Sequence, residues 1–235
     1  MAEIGNGYGS ECHLLRWMGR HRNALDRAIL REIGGDYSSI SWLDFNFDSK
    51  ASWPDAELKG LEFLKDNEFL QSEWKKFWPI DGNVQNWDAV GWLIDTNGKR
   101  EVLLVEAKAH AEELKSDCQA ISAKSKEKID AAFKEVKNEL DIACDNDWKK
   151  EYYQFANRLA TLYFLEKHGV AAHLVFIYFM GDKFPKKNKF ICPVSEDMWA
   201  SALREQYNYL GLGNGHKLQK KVSTLFLRVD GEKSV

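Results

Sequence analysis

The chain has 235 residues, with 33 Lys plus Arg against 36 Asp plus Glu and a formal charge of −3. At 44% hydrophobic, 13% aromatic and 29% charged residues it has the make-up of a globular protein, which excludes disordered and collagen-like chains. Mean hydropathy is −0.48 and no run approaches the roughly 20 apolar residues that cross a bilayer, so no membrane partner is expected. The N-terminal MAEIGNGYGSE has no basic stretch leading into an apolar one, so it does not read as a secretory signal, and a cytoplasmic location is the default expectation. Cys12, Cys118, Cys144 and Cys192 are far apart and form no C-x-x-C pair, which points to isolated reduced thiols rather than a zinc ribbon or redox motif.

Along the chain, Ser10 to Ile33 places Leu15, Met18, Leu25 and Ile29 at helical spacing between Ser10 as N-cap and Gly34-Gly35 as stop, and predicts one long amphipathic helix. Residues 36–54 show no sustained period and predict loop with at most one strand. Asp55 to Leu70 predicts a second helix, which Gly60 weakens by about 1 kcal/mol relative to Ala; Glu73 to Trp78 predicts a short strand ending at Pro79. WDAVGWLI and REVLLVEAKA flank Asp95-Thr96-Asn97-Gly98 and predict an antiparallel hairpin. Ser116 to Ala143 predicts a helix with Cys118, Ile121, Ile129, Phe133, Val136 and Leu140 inward, and Trp148 to His168 another with Tyr152, Phe155, Leu159 and Leu162 inward. AHLVFIYFM, residues 172–180, is apolar at both parities, as a strand covered on both faces must be. Ser195 to Tyr209 predicts a last helix and Val222 to Val229 a last strand. This order predicts a single α/β domain, a mixed sheet with helices on both faces.

Chemistry concentrates on the hairpin. Glu106 and Lys108 have the same parity and project from one face of their strand, continuing a face that begins with Val102 and Leu104. Asp88 stands on the partner strand, and the loop decides its neighbour. A two-residue turn at Asn97-Gly98 sets Asp88 opposite Ala107; a three-residue loop, with Gly98 left-handed, pairs Asp95 with Lys99 and sets Asp88 opposite Glu106. The second register, or a bulge with the same result, is expected. Two carboxylates about 4 Å apart repel by roughly 4 kcal/mol at an effective dielectric near 20, a cost that a divalent cation removes. Oxygen ligands without His or Cys suit Mg²⁺ or Mn²⁺ better than Zn²⁺. Lys108 would then orient a water, assist its deprotonation, or stabilise charge on a phosphoryl oxygen.

Asp88, then 17 intervening residues, then Glu106-Ala107-Lys108 resembles the D…E-x-K core of the PD-(D/E)xK nuclease superfamily and its restriction-endonuclease-like fold. That family's core is a helix, a three-stranded antiparallel meander, a helix and a further strand; the resemblance covers about residues 10–182, leaving 190–230 as a C-terminal helix and strand extension. It implies a metal-dependent nuclease acting on nucleic acid, DNA first, with Asp88 and Glu106 binding Mg²⁺ or Mn²⁺, the Ala107 carbonyl completing the coordination and Lys108 as the catalytic lysine. Glu11, on the first helix, matches the family's helical metal-side Glu, with a first-turn acid favoured by the helix dipole as the other reading. Gln154 matches a Gln that some members carry on a later helix and is a catalytic candidate, with Asn157 and Arg158 beside it by helical spacing as substrate-binding candidates, capping or bracing of the core being the other reading for all three; His110 is a substrate-binding candidate or a strand-end surface residue. Asp88 follows Trp87 where the family has Pro, and Pro79-Ile80-Asp81 offers a rival acid.

The overall charge supplies no basic surface for nucleic acid. Lys124, Lys126 and Lys128, Lys183, Lys186, Lys187 and Lys189, and Lys217, Lys220 and Lys221 are local clusters that track a backbone or simply face solvent. GLGNGHK, from Gly211, lacks the spacing of a phosphate loop and reads as a turn. The competing expectation is a catalytically inactive nuclease-fold module that binds nucleic acid or protein, and with no separate DNA-reading domain in the sequence, recognition would come from a homodimer or a protein partner.

Overall fold

A computed structural model describes residues 7–43, 58–80, 84–183, 190–213 and 215–231. In chain order its elements are α1 (Ser10–Arg20), α2 (Arg22–Ile33), β1 (Tyr37–Trp42), β2 (Leu58–Lys59), α3 (Glu68–Phe77), β3 (Asn86–Trp87), β4 (Ala89–Asp95), β5 (Arg100–Lys108), α4 (Ala123–Glu139), α5 (Tyr153–Lys167), β6 (Ala172–Met180), α6 (Glu196–Leu210) and β7 (Val222–Arg228). The main sheet has the order β1-β4-β5-β6-β7, antiparallel from β1 to β5 and parallel from β5 to β7. A mixed α/β sheet is therefore what the element order led one to expect.

Both faces of the sheet are covered. Leu14, Trp17, Met18, Leu25 and Ile29 of α1 and α2 pack with Leu103, Val105, Ala107, Val175, Ile177 and Phe179. On the other side α3 to α6 pack over Val102, Leu104, Leu174, Phe176 and Tyr178, through a layer that includes Trp74, Phe133, Trp148, Phe164 and Trp199. The uninterrupted apolar run of β6 follows directly, since both of its parities meet helices.

The first expected helix divides at His21, whose backbone leaves helical geometry (φ −124°, ψ 24°) while its N–H still reaches Trp17 O. The break lets α1 pack on β5 and α2 on β1 and β7. The expected helix from Asp55 to Leu70 is not formed: residues 55–57 lie outside the described residues, Leu58–Lys59 pair with Trp87 and Asn86, and Gly60 turns the chain with φ 51°. The helix starts later, at Asn67, whose side chain accepts from Leu70 N–H at 3.0 Å, and it absorbs the expected strand from Glu73 to Trp78 because Leu70 and Trp74 share its buried face. The helix expected from Ser116 begins at Ala123, capped by Ser122. The preceding segment is tied to Lys149–Tyr153 in extended form, and Ile121, expected inward, is almost wholly exposed.

The hairpin is formed in the expected register. Pairs run from Ala89↔Val105 to Ile94↔Arg100, Asp95 N–H donates to Lys99 O at 3.0 Å, and Gly98 is left-handed at φ 82°. Among the described residues no helix is long and apolar enough to cross a membrane, and the four cysteines are free.

Candidate functional site

Asp88 occupies the bend between β3 and β4. That bend is fixed from below: the Trp87 indole donates to Gly60 O at 2.9 Å, Gly60 N–H donates to Gln85 O, and Gln85 reaches Thr161 of α5. Continuing the β4–β5 ladder by one pair sets Asp88 beside Glu106, and the Ala107 N–H donates to Asp88 Oδ2 at 2.6 Å. Within a strand, the N–H and C=O of one residue point to the same side, so the Ala107 carbonyl faces the gap that Asp88 closes.

Glu106 and Lys108 lie on the face covered by α5, as their parity requires, and both are buried. Lys108 Nζ donates to Glu106 Oε1 at 2.5 Å. Arg158 Nε and Nη2 both meet Glu106 Oε2 at 2.7 Å; Nη2 also donates to Asn86 O, Nη1 donates to Asn157 Oδ1, and the guanidinium lies 4.8 Å over the Trp87 ring. Each Glu106 oxygen thus carries a cationic partner. Burial works against the Glu106 charge, but Arg158 and then Lys108 outweigh it and hold the carboxyl below its ordinary range. Burial likewise opposes the Lys108 ammonium, yet Glu106, Asp88 and Glu113 raise it. Asp88 has no such cation in contact: burial first, and repulsion by Glu106 second, push its carboxyl up to about 7.

The remaining candidates are distributed around this centre. Gln154 lies one turn ahead of Arg158 on α5; its backbone N–H donates to Ser116 Oγ at 2.9 Å. Asn157 braces Arg158 rather than pointing into an opening. His110 is buried rather than at the surface, its Nε2 3.2 Å from Glu113 and its Nδ1 3.3 Å from Glu112, with the ring against Phe190. Glu11 belongs to α1, which packs on the Ala107 side of the sheet, the face opposite to Glu106 and Lys108. Asp81, Lys186, Lys187 and Lys189 lie outside the described residues. Two participants have no sequence signal of their own. Glu113 Oε2 accepts from Ala109 N–H at 2.6 Å and adds negative charge behind Lys108; Asn86 offers its carbonyl to Arg158 Nη2.

Among the described residues, no three His, Cys, Asp or Glu side chains converge on one point. The donor set for a cation is therefore Asp88, Glu106 and the Ala107 carbonyl, without Glu11. Two carboxylates with waters and substrate oxygens suffice for Mg²⁺, and the Asp88 carboxyl, raised by burial and then by its anionic neighbour Glu106, has the electrostatic need that a cation meets. The set fits Mg²⁺ provided that one Glu106 oxygen is released by its present partner. Comparison with protein-family models, with curated proteins and with solved structures finds no match to this chain.

Proposed function

We propose that this chain is a metal-dependent phosphodiesterase acting on nucleic acid, with DNA as the expected substrate and Asp88, Glu106 and Lys108 as its centre. The observation that carries the reading is the meeting of two carboxylates and a lysine at one end of β4 and β5, in the register that makes them neighbours. A bound Mg²⁺ or Mn²⁺ would supply Lewis-acid polarisation of a phosphoryl oxygen and a lowered pKa for attacking water. Asp88 and Glu106, with the Ala107 carbonyl, would hold the ion. Lys108 stays an ammonium because Glu106, Asp88 and Glu113 favour its charge, so its role is to stabilise negative charge on the phosphoryl group, not to take the proton of water. Hydrolysis forms the new P–O bond from water, which gives its proton to solvent, and breaks the ester P–O bond, whose leaving oxygen takes a proton from solvent.

A second reading follows from the double engagement of Glu106. Lys108 and Arg158 neutralise it fully, which suits a nuclease-fold module that binds nucleic acid or protein without cleaving. Purified protein incubated with single- and double-stranded DNA and RNA in Mg²⁺, Mn²⁺ or EDTA separates the two. Cleavage that needs metal and is lost in Asp88→Ala and Lys108→Ala supports the hydrolase. Cleavage persisting in both variants removes this centre from the chemistry, and binding without cleavage favours the scaffold.

A further inference from the structure

Arg158 engages a Glu106 oxygen that a metal ion at the acid pair would need. Its Nε and Nη2 occupy Glu106 Oε2, and Nη2 also takes the carbonyl of Asn86, two residues before Asp88. Trp87, between Asn86 and Asp88, forms the floor under the guanidinium. The planar fork of arginine suits this grip on a carboxylate and suits a phosphate equally. With Asp88 ionised, the charges of Asp88, Glu106, Lys108 and Arg158 cancel. A divalent cation added to all four leaves two positive charges in a buried place, of which Glu113 behind Lys108 offsets at most one, and the arrival of a phosphate offsets the remainder.

We propose, on the phosphodiesterase reading above, that Arg158 holds Glu106 in the metal-free protein, yields it when a divalent cation binds, and then takes a phosphate oxygen of the substrate. Arg158 is thereby a competitor for the metal and a partner for the phosphate. Removing it tightens metal binding while weakening binding of the anion, a pair of opposite effects that a purely structural arginine does not produce. Lys108 does not replace it, because a single ammonium on Oε1 leaves Oε2 open.

Calorimetric titration of Mn²⁺ alone into wild type, Arg158→Gln and Arg158→Lys tests the competition. Arg158→Gln should bind Mn²⁺ about five-fold or more tighter than wild type, Arg158→Lys by a smaller factor, and both should bind a short DNA duplex more weakly in the presence of Ca²⁺. Unchanged or weaker Mn²⁺ binding in a folded Arg158→Gln overturns the exchange while leaving the phosphodiesterase reading intact. No Mn²⁺ binding in wild type or either variant overturns that reading itself. Should Arg158→Gln fail to fold, wild-type fluorescence decides. Mg²⁺ should change the tryptophan emission as the guanidinium leaves the Trp87 ring, and the change should vanish in Trp87→Phe. Calorimetrically proven Mg²⁺ binding with the same emission change in both proteins overturns the proposal.

Discussion

Asp88 ionises near 7 in the folded chain against 3.8 in an unfolded one, chiefly through burial. Between these values the native state holds a proton that the unfolded state has released, so the metal-free protein loses stability as pH rises through this window; above about 7 the loss is complete. Asp88→Asn keeps an acceptor for the Ala107 N–H and carries no charge. In EDTA, urea unfolding should show this variant more stable than wild type at pH 8 by up to about 4 kcal/mol, with the gain disappearing toward pH 4. Equal stability at pH 8 would sink the assignment. The three central side chains are legible in the sequence because strand parity puts Glu106 and Lys108 on one face and loop arithmetic adds Asp88. Arg158 is legible as a substrate-binding candidate beside Gln154, but not as a partner of Glu106. That it reaches back to Glu106 depends on how α5 lies across the sheet, and Glu113 lies within a 3-10 turn, where strand parity says nothing.

At the scale of elements, the hairpin carries the site because its loop sets the register, and Gly98 makes that loop attainable. Its φ of 82° lies in the region that side chains with a Cβ avoid, yet a Cβ built there meets nothing within 4 Å. The cost of replacing it is therefore backbone strain and not collision. Gly98→Val should lower stability by about 1–3 kcal/mol, and Gly98→Asn by distinctly less, because Asn tolerates the left-handed region; chemical denaturation measures both. Buried apolar contacts on both sides of β5 hold the register as well, so each folded variant should keep the wild-type Mn²⁺ affinity. Equal losses for Val and Asn would show that something other than φ matters. The hairpin was readable because two β-rich runs and the turn chemistry between them agree. The stretch from Asp55 to Trp78 was not, because apolar residues at helical spacing continue across Gly60, whereas the real start lies at Asn67, whose capping bond competes with a weak periodicity.

Across the whole molecule, the sheet is also braced at the end remote from the acid pair. Tyr37 of β1, Glu101 of β5, His173 of β6 and Lys221, just before β7, meet there: Tyr37 donates to Glu101 at 2.8 Å, and Tyr37 and Lys221 lie 3.0 and 3.2 Å from His173 Nε2. The helices-on-both-faces architecture was legible from the doubly apolar β6, but this cluster was not, since its members are brought together only by strand order. Burial, and then the Lys221 charge, lower His173 to about 4. An unfolded His173 titrates near 6.5, so the unfolded chain gains a proton first as pH falls. Stability from the neutral ring is complete above about 6.5 and is lost progressively toward 4. This amounts to about 3 kcal/mol across the window. Glu101, held near 2 although burial opposes its charge, because Tyr37, Lys99 and Lys221 bond to it, keeps its contribution above 4.5 and sheds it only as pH falls further, so the two groups act in separable ranges. Urea unfolding from pH 7 to 4.5 should show wild type losing stability more steeply than His173→Gln. That difference should persist when Asp88→Asn is introduced into both backgrounds, because the two sites occupy opposite ends of β5. Parallel curves for wild type and His173→Gln would mean that the ring titrates in the native sheet as it does in the unfolded chain.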